Sequence, residues 1–329
     1  MNSPRRSANE LFAATRDFTV ENSTQNALAI ASTLAALATT LGLAAFATFW
    51  PVRLVAGVVA GLVVVRTFCL YHDVMHGAIL RKSPVGRALF SIFGILVQTP
   101  PTIWKETHNY HHAHTAKLVG SNIGSYPMAT PAMFAAFSPF QRWLYRAARH
   151  PLTIGFGVFT VFFLGMGVRP TLRSPLKYWD SAASVIATVG IPVTLTLLGY
   201  GDVAFFAHFL PLAVASAAGG YLFYAQHNFP GIKVAPRESW NFVDASLDSS
   251  SFMKMGPVMN WFTANIGYHH VHHLNAAIPF YRLPEAMAAV PELQHPTETS
   301  WWPKDVMACF RLKLWDSERN EMVGYPSRS

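Results

Sequence analysis

Charged residues are scarce in this chain of 329 residues: Asp, Glu, Lys and Arg together make up 13% of it. An average soluble protein has about 25%, and so few charges cannot solvate the surface of a soluble globule of this size. Cysteine is nearly absent, since only Cys69 and Cys309 occur. Two cysteines exclude a disulfide framework, an all-cysteine zinc site and a fused iron–sulfur domain.

Apolar residues, by contrast, are abundant. The AVILMFWYC set accounts for 51% of the chain, with 24 Phe, 9 Trp and 11 Tyr, which excludes a disordered protein. The net charge of +8 does not form a basic stripe with interleaved aromatics, so we expect no nucleic-acid partner. The Lys and Arg residues instead adjoin apolar runs, as the positive-inside rule describes for membrane proteins.

Four apolar runs are long enough to cross a bilayer, which takes about 20 residues. A short link joins the first run to the second, and another joins the third to the fourth. The sequence therefore predicts an all-α integral membrane protein with four transmembrane helices in two hairpins. The runs are residues 26–49, 52–71, 181–199 and 203–224.

Two further apolar stretches are not predicted to cross. Residues 88–99 are too few, and residues 151–168 have basic clusters on both sides, so they would dip into the interface or lie flat. Basic residues also flank the first hairpin, which places both termini in the cytoplasm. The expected organisation is a cytoplasmic N-terminal segment (1–25), a single membrane domain with interfacial helices and a cytoplasmic helical cap (26–325), and a tail (326–329).

Histidine is unusually frequent, with 14 residues against 17 acidic ones. Most fall in three motifs, HDVMH at 72–76, HNYHH at 108–112 and HHVHH at 269–273, and His227 stands alone after the fourth run. Spacings of three and four residues place imidazoles on one face of a helix, and imidazole is the commonest metal ligand of proteins. On the predicted topology all four groups emerge on the cytoplasmic side, so the cap is predicted to carry a metal site.

The number of histidines narrows the kind of metal site. Eight or nine imidazoles are too many for one tetrahedral zinc ion and suit two ions with open positions. The zinc-protease motif HExxH requires Glu where Asp73 stands, and a haem protein would place single histidines in mid-membrane. Iron acting on O₂ fits imidazole ligands, although spacing alone leaves copper and manganese open.

These motifs resemble the histidine boxes of the integral-membrane fatty acid desaturases. The segments YAQHN at 224–228 and NIGYHHVHHLNAAIPFYRLPE at 265–285 are also similar to that family. Three residues separate the histidines of the first box, and the first of the three is Asp. This pattern resembles the bacterial acyl-lipid branch of Δ12 or ω type rather than the Δ9 acyl-CoA branch.

The resemblance implies an oxidoreductase that uses two iron ions, O₂ and two electrons to introduce a cis double bond into a membrane-lipid acyl chain. It implies the bacterial inner membrane as the location. It also implies an external donor, a ferredoxin-like or other small electron-transfer protein, since the chain lacks the His-Pro-Gly-Gly haem motif of fused members and the cysteines for an iron–sulfur centre. The implied iron ligands are His72, His76, His108, His111, His112, His227, His269, His272 and His273.

Several polar residues near or inside the apolar runs are given no ligand role. His208, inside the fourth run, is expected to be packed or hydrogen-bonded, and His270 to point away from the ligands beside it. Arg66, inside the second run, is expected to snorkel to the cytoplasmic interface. The histidines outside the implied set are His114, His150, His208, His270 and His295.

Two other functions stay open at this point. A hydroxylase or ketolase acting on a fatty chain or a carotenoid would use the same ligand spacing. A non-enzymatic metal carrier belongs to a different class and would need ionisable ligands along a path at mid-membrane depth. The apolar runs are almost bare of Asp, Glu and His, which disfavours the carrier.

Overall fold

The structure is a computed structural model that describes residues 5–326. The helices in this part of the chain are α1 (Ala8–Thr15), α2 (Ser23–Phe46), α3 (Trp50–His76), α4 (Pro84–Leu96), α5 (Pro101–His114), α6 (Pro131–Ala136), α7 (Pro139–Ala148), α8 (Pro151–Gly155), α9 (Arg169–Arg173), α10 (Trp179–Leu197), α11 (Gly201–Val203), α12 (Leu210–Ala225), α13 (Phe242–Asp248), α14 (Gly256–Phe262), α15 (His269–Leu274), α16 (Leu283–Ala289) and α17 (Pro303–Arg311). The strands are β1 (Phe252–Lys254), β2 (Glu298–Ser300), β3 (Leu314–Asp316) and β4 (Glu321–Val323). Short 3₁₀ segments are Arg16–Thr19, Phe280–Arg282 and Pro291–Leu293, and π-helical segments are Val158–Val168 and Ala204–Phe209.

Within residues 5–326, four helical stretches are long and apolar enough to cross a membrane. They are α2, α3, α10 and the continuous stretch Gly201–Ala225, which joins α11, a π-helical segment and α12. Each overlaps one of the four predicted runs, with ends that differ by a few residues. The prediction of an all-α integral membrane fold with four crossings is therefore confirmed.

The two hairpins pack against each other through the contact of α3 with the fourth crossing. Gly57 and Gly61 lie one turn apart on α3 and face the fourth crossing, where a Cβ built on Gly57 would lie 2.6 Å from the carbonyl oxygen of Phe206. A Cβ on Gly61 would lie 2.6 Å from the Cβ of Val214. No side chain fits at either position, and this close approach of two backbones is the way small residues hold helices together in lipid.

The tips of the two hairpins meet at the end of the bundle away from the histidines. The guanidinium of Arg53, near the start of α3, donates a hydrogen bond to the carboxylate of Asp202 at 2.5 Å. It donates another to the main-chain oxygen of Ala44 in α2 at 2.8 Å. Because these contacts join α2, α3 and α11, they place both tips at the same end, as two hairpins require.

The weaker apolar stretches do not form elements of crossing length. Helix α4 has 13 residues, which is too short to cross, as predicted for that region. Residues 151–168 form α8 and the π-helical segment Val158–Val168. Whether they dip into the interface or lie flat on it stays a prediction.

The prediction that Arg66 snorkels is wrong. Its side chain is 5% exposed, donates to the hydroxyl of Thr33 at 2.8 Å and donates to the main-chain oxygen of Trp261. The guanidinium also lies 4.3 Å from the centre of the Trp261 ring. Arg66 therefore joins α2, α3 and α14 inside the protein. Its side chain does not reach the interface because α14 covers it.

The cap consists of the chain after α12 together with the N-terminal segment. In the described part it also contains two small sheets that were not predicted, a parallel pair of β1 with β2 and an antiparallel pair of β3 with β4. Arg5 is paired with Asp244 and Asp248 at 2.7 Å, and Arg6 is paired with Glu292 at 2.5 Å. These ion pairs hold the N-terminal segment on the cap.

The division of the chain into segment, domain and tail stays a prediction. Residues 1–4 of the N-terminal segment and residues 327–329 of the tail lie outside the described residues. One hydrophobic core runs from α3 and α12 into the cap. The membrane helices and the cap are therefore packed together at the histidine-bearing end.

Replacing Gly61 with valine should force α3 away from α12, because its Cβ would also lie 2.9 Å from the carbonyl oxygen of Pro211. We expect a loss of about 1–3 kcal/mol in stability, measured as a lower midpoint of thermal unfolding in detergent. The matched control is Gly42→Val, because a Cβ on Gly42 in α2 meets nothing within 4 Å. Equal midpoints for the two variants would show that the glycine contact does not set the packing.

Candidate metal centre

Four pieces of the chain bring the histidines together: the end of α3, α5, the turn after α12, and α15. Helix α3 ends immediately after its second histidine because Gly77 adopts a left-handed conformation with φ +71°, which terminates a helix at little steric cost. Helix α5 begins at Pro101, and proline suits the first turn because that turn needs no N–H donor. The histidines of these elements therefore meet at one end of the bundle.

The structure brings all nine histidines of the implied set into two adjoining groups. In each group, one ring nitrogen from every member lies within 4.8 Å of those of the others. The five-histidine group is His72, His76, His108, His112 and His272. The four-histidine group is His111, His227, His269 and His273.

In the five-histidine group, the Nε2 atoms face one another. His108 Nε2 lies 3.0 Å from His72 Nε2 and 3.1 Å from His112 Nε2. His272 Nε2 lies 3.1 Å from His112 Nε2. The Nε2 atom of His76 is buried and has no hydrogen-bond partner among the described residues. The nitrogens thus converge on a shared space instead of each binding a separate protein group.

In the four-histidine group, one contact shows which nitrogen of His227 carries a lone pair. His227 Nδ1 lies 2.9 Å from the main-chain oxygen of Ser249. Because a carbonyl oxygen only accepts, Nδ1 holds the proton and Nε2 presents a lone pair. That Nε2 lies 3.0 Å from His111 Nε2 and 2.9 Å from His269 Nε2, and His273 Nε2 lies 3.1 Å from His269 Nε2. A lone pair on His227 Nε2 that lies so close to two other imidazole nitrogens favours a cation between them.

Burial keeps these imidazoles neutral. It lowers the pKa of His227 to about 4, and it holds the pKa of the histidines of α5 and α15 in both groups well below 6.5, with neighbouring histidines adding to the effect. A metal binds neutral imidazole. The donor set therefore fits metal ions of the kind that imidazole nitrogen prefers, including iron.

Asp73 is a site residue whose role the sequence did not reveal. Its buried carboxylate accepts a hydrogen bond from the main-chain N–H of Phe280 at 2.8 Å through Oδ2, and Oδ1 lies 3.3 Å from His72 Nδ1. A carboxylate behind a histidine fixes the orientation of the ring. The available signal was an acidic residue just after the second apolar run and next to a ligand-type histidine.

An aromatic wall, formed by Trp104, Tyr71 and Phe68, borders the five-histidine group. The Trp104 ring is stacked on His108 with centroids 4.4 Å apart and lies edge-on to His72 at 5.7 Å. Tyr71 and Phe68 lie 5.2 Å and 6.1 Å from Trp104. Trp104 is buried, so the wall gives this group an apolar side.

The histidines outside the implied set lie outside both groups. His270 Nε2 donates to the main-chain oxygen of Leu293 at 3.0 Å, so the prediction that it points away from the ligand-type histidines is confirmed. His208 is half-buried in the fourth crossing and its Nε2 has no hydrogen-bond partner among the described residues, so it is a packed histidine, one of the two roles expected for it. His114 Nδ1 contacts the oxygen of Tyr110 at 2.9 Å.

Two groups of neutral histidines at one end of a four-crossing helical bundle define a membrane protein that can hold metal ions beside a bilayer. A model of the family described as fatty acid desaturase matches residues 48–304. The chain therefore belongs to the fatty acid desaturase family, an oxidoreductase family, as its histidine motifs indicated.

Several characterised proteins are similar to this chain. A protein of Bacillus subtilis (strain 168) named fatty acid desaturase is 28% identical over 271 residues, which cover 82% of this chain and 76% of that protein. Two proteins named sn-1 oleoyl-lipid 12-desaturase are 24% and 25% identical. The one from Picosynechococcus sp. matches 82% of this chain and 79% of its own length, and the one from Synechocystis sp. matches 70% and 66%. The family and these names favour a desaturase over a hydroxylase, a ketolase or a metal carrier.

The metal-free protein should lose stability as the pH falls from about 6.5 toward about 4. The buried histidines stay neutral in the folded chain, with the pKa of His227 at about 4, but take up protons at about 6.5 when unfolded. Because the unfolded state then binds more protons, acid lowers the free energy of unfolding.

This dependence can be measured from thermal unfolding of the metal-free protein in detergent across that pH range. His227→Gln should flatten it, because the variant has one buried neutral imidazole fewer. His295→Gln, at an exposed position outside both groups, should leave it unchanged. If the unfolding midpoint falls equally steeply with decreasing pH in both variants, the assignment of the acid sensitivity to the buried histidines is contradicted.

Proposed function

We propose that the chain holds two iron ions in its two histidine groups and introduces a cis double bond into an acyl chain of a membrane lipid. The observation that supports this most directly is the convergence of nine neutral histidines on two adjoining positions. When bound, the irons would supply, with O₂ and two electrons, the oxidising power that removal of hydrogen from an unactivated methylene needs. The ligands in this proposal are His72, His76, His108, His112 and His272 for one ion and His111, His227, His269 and His273 for the other.

The substrate in this proposal is an oleoyl chain esterified in a lipid, and the new bond forms at carbon 12. The printed names of the relatives from Picosynechococcus and Synechocystis support this choice, as does the three-residue spacing in the first box. Neighbouring methylenes of an acyl chain are chemically alike, so the chemistry of the chain alone does not decide which carbon reacts. Position along the chain is then selected by how the chain is held.

The residues around the five-histidine group provide an apolar surface for such a chain. The aromatic wall of Trp104, Tyr71 and Phe68 runs from α3 to α5 beside His72 and His108. An acyl chain lying along it would reach the histidine end of the bundle from the bilayer while its head group stayed at the interface. Burial of Trp104 and Tyr71 excludes water from that side of the site.

We place the protein in the bacterial inner membrane with the histidine end and both termini in the cytoplasm. The exposed basic residues Arg81, Lys82 and Arg87 follow directly after α3 at that end, which agrees with the positive-inside rule. The ion pairs of Arg5 and Arg6 hold the N-terminal segment at the same end. Electrons come from a separate ferredoxin-like or other small carrier protein in this proposal.

Expression in a host that makes only saturated and monounsaturated lipids tests the reaction. We expect a diunsaturated acyl chain whose new double bond lies at carbon 12, located by mass spectrometry of derivatised fatty acids. A hydroxylated chain as the main product would contradict the proposed desaturation and show that the protein is a hydroxylase. A new double bond at another carbon would contradict the proposed position and leave the reaction type in place.

Alanine at His111 or His272 should abolish desaturation and lower the iron bound per protein, since each residue belongs to a different group. Both lie outside the four crossings, so insertion into the membrane should be unchanged. The matched control is His114→Ala, on the same helix as His111 and outside both groups. Iron content by elemental analysis and product by mass spectrometry are the measurements, and full activity in either ligand variant would contradict the assignment.

A further inference from the structure

Three hydrogen-bond contacts connect the four-histidine group to the protein surface. Thr115, buried at the end of α5, has its Oγ1 3.4 Å from Nδ1 of His273. The same hydroxyl donates to the main-chain oxygen of His111 at 2.7 Å. The indole N–H of Trp240 donates to the main-chain oxygen of Thr115 at 2.8 Å. A path of covalent and hydrogen bonds therefore runs from Trp240 through Thr115 to two members of the group.

Trp240 lies where this path reaches the surface. Its side chain is partly exposed, and the residues of the preceding turn, Arg237, Glu238 and Ser239, are exposed. The ammonium of Lys117 lies 4.2 Å from the centre of the indole ring, a cation–π contact that holds the ring in place.

The backbone around Trp240 is fixed to α5. The N–H of Ala235 donates to the oxygen of Ala116 at 3.1 Å, and the N–H of Leu118 donates to the oxygen of Ala235 at 2.9 Å. These two bonds hold the loop that carries Trp240 against the segment that follows α5. The contact of the indole with Thr115 is therefore part of a fixed arrangement rather than of a free side chain.

A path of this kind is needed because three of the four histidines in the four-histidine group are buried. His111, His269 and His273 are at most 4% exposed, so a protein donor cannot touch them. Each desaturation consumes two electrons, and each electron must cross the protein between the donor and the site. Electron transfer decays less steeply through bonded and hydrogen-bonded atoms than through empty space, which favours the path that begins at Trp240.

We propose that an acidic one-electron carrier protein docks at Trp240 and that electrons reach the four-histidine group through Thr115 and His273. This inference rests on the proposed function, since it assumes iron in that group. In each step the carrier is oxidised by one electron and one ferric ion is reduced to ferrous, and two steps supply one turnover. Arg237 is exposed, and the ammonium of Lys117 lies against the indole ring of Trp240. These two positive charges beside Trp240 favour an acidic partner.

Photoreduction of the iron-loaded full-length protein tests the path. A ruthenium–bipyridine photoreductant is attached at Ser239→Cys, which is labelled selectively because Cys69 and Cys309 are buried. The rate of ferric reduction after a laser flash is followed by absorbance. Trp240→Phe keeps an aromatic ring but removes the N–H donor to Thr115, so we expect reduction to be several-fold slower with unchanged iron content.

The matched control for this experiment is Trp302→Phe in the same labelled protein. Trp302 is 76% exposed and contacts neither histidine group, so its replacement should leave the rate unchanged. Equal rates in the two variants would overturn the path. Loss of iron in Trp240→Phe would overturn it too, because the residue would then serve the structure of the site and not the transfer.

Docking of the carrier protein beside Trp240 is tested by a separate measurement. A reduced plant-type [2Fe–2S] ferredoxin should reduce the iron of Arg237→Glu more slowly than that of the unchanged protein, while photoreduction from position 239 stays the same. No reduction of the unchanged protein, or equal rates, would overturn the docking surface. None of these readouts depends on the lipid product, so their failure is distinct from failure of the desaturase assignment.

Discussion

The packing of neutral histidine nitrogens against one another is the constraint on which the rest of the fold depends. Facing lone pairs repel unless a cation or a proton lies between them, so the rings keep this arrangement only if the backbone on every side is held firmly. The glycine contact of α3 with α12, the bond from Phe280 to Asp73 and the ion pairs of the N-terminal segment each fix one of those sides. The membrane helices and the cap thus both hold the backbone that carries the histidines in place.

The crossings and the histidine set could be predicted because each depends on local spacing. Lipid demands a run of about 20 apolar residues, and a helix places residues three or four apart on one face. The division of the histidines into five and four could not be predicted. His108 and His112 share a face of α5 whereas His111 is turned by about 100° from His112, and only the position of α15 decides which group each face meets.

Other features could not be predicted from the sequence because the residues that they contact lie far along the chain. Arg66 is satisfied by Thr33 and by the main-chain oxygen of Trp261, which is 195 positions away, so no local pattern distinguishes it from a side chain that reaches the interface. The strands of the cap have three residues each, too few to show a period of two. Strand β1 pairs with a segment 46 positions later, and that pairing follows from the fold of the cap.

The order in which the histidines occur has a consequence for biosynthesis. The five-histidine group takes four members from α3 and α5 and its last from α15, and the four-histidine group begins on α5 and also ends on α15. Neither group is complete until its α15 histidine, His272 or His273, has left the ribosome and α15 has folded against α5. The four membrane helices are thus made before either group exists, so a metal ion can enter only after all four crossings have been synthesised.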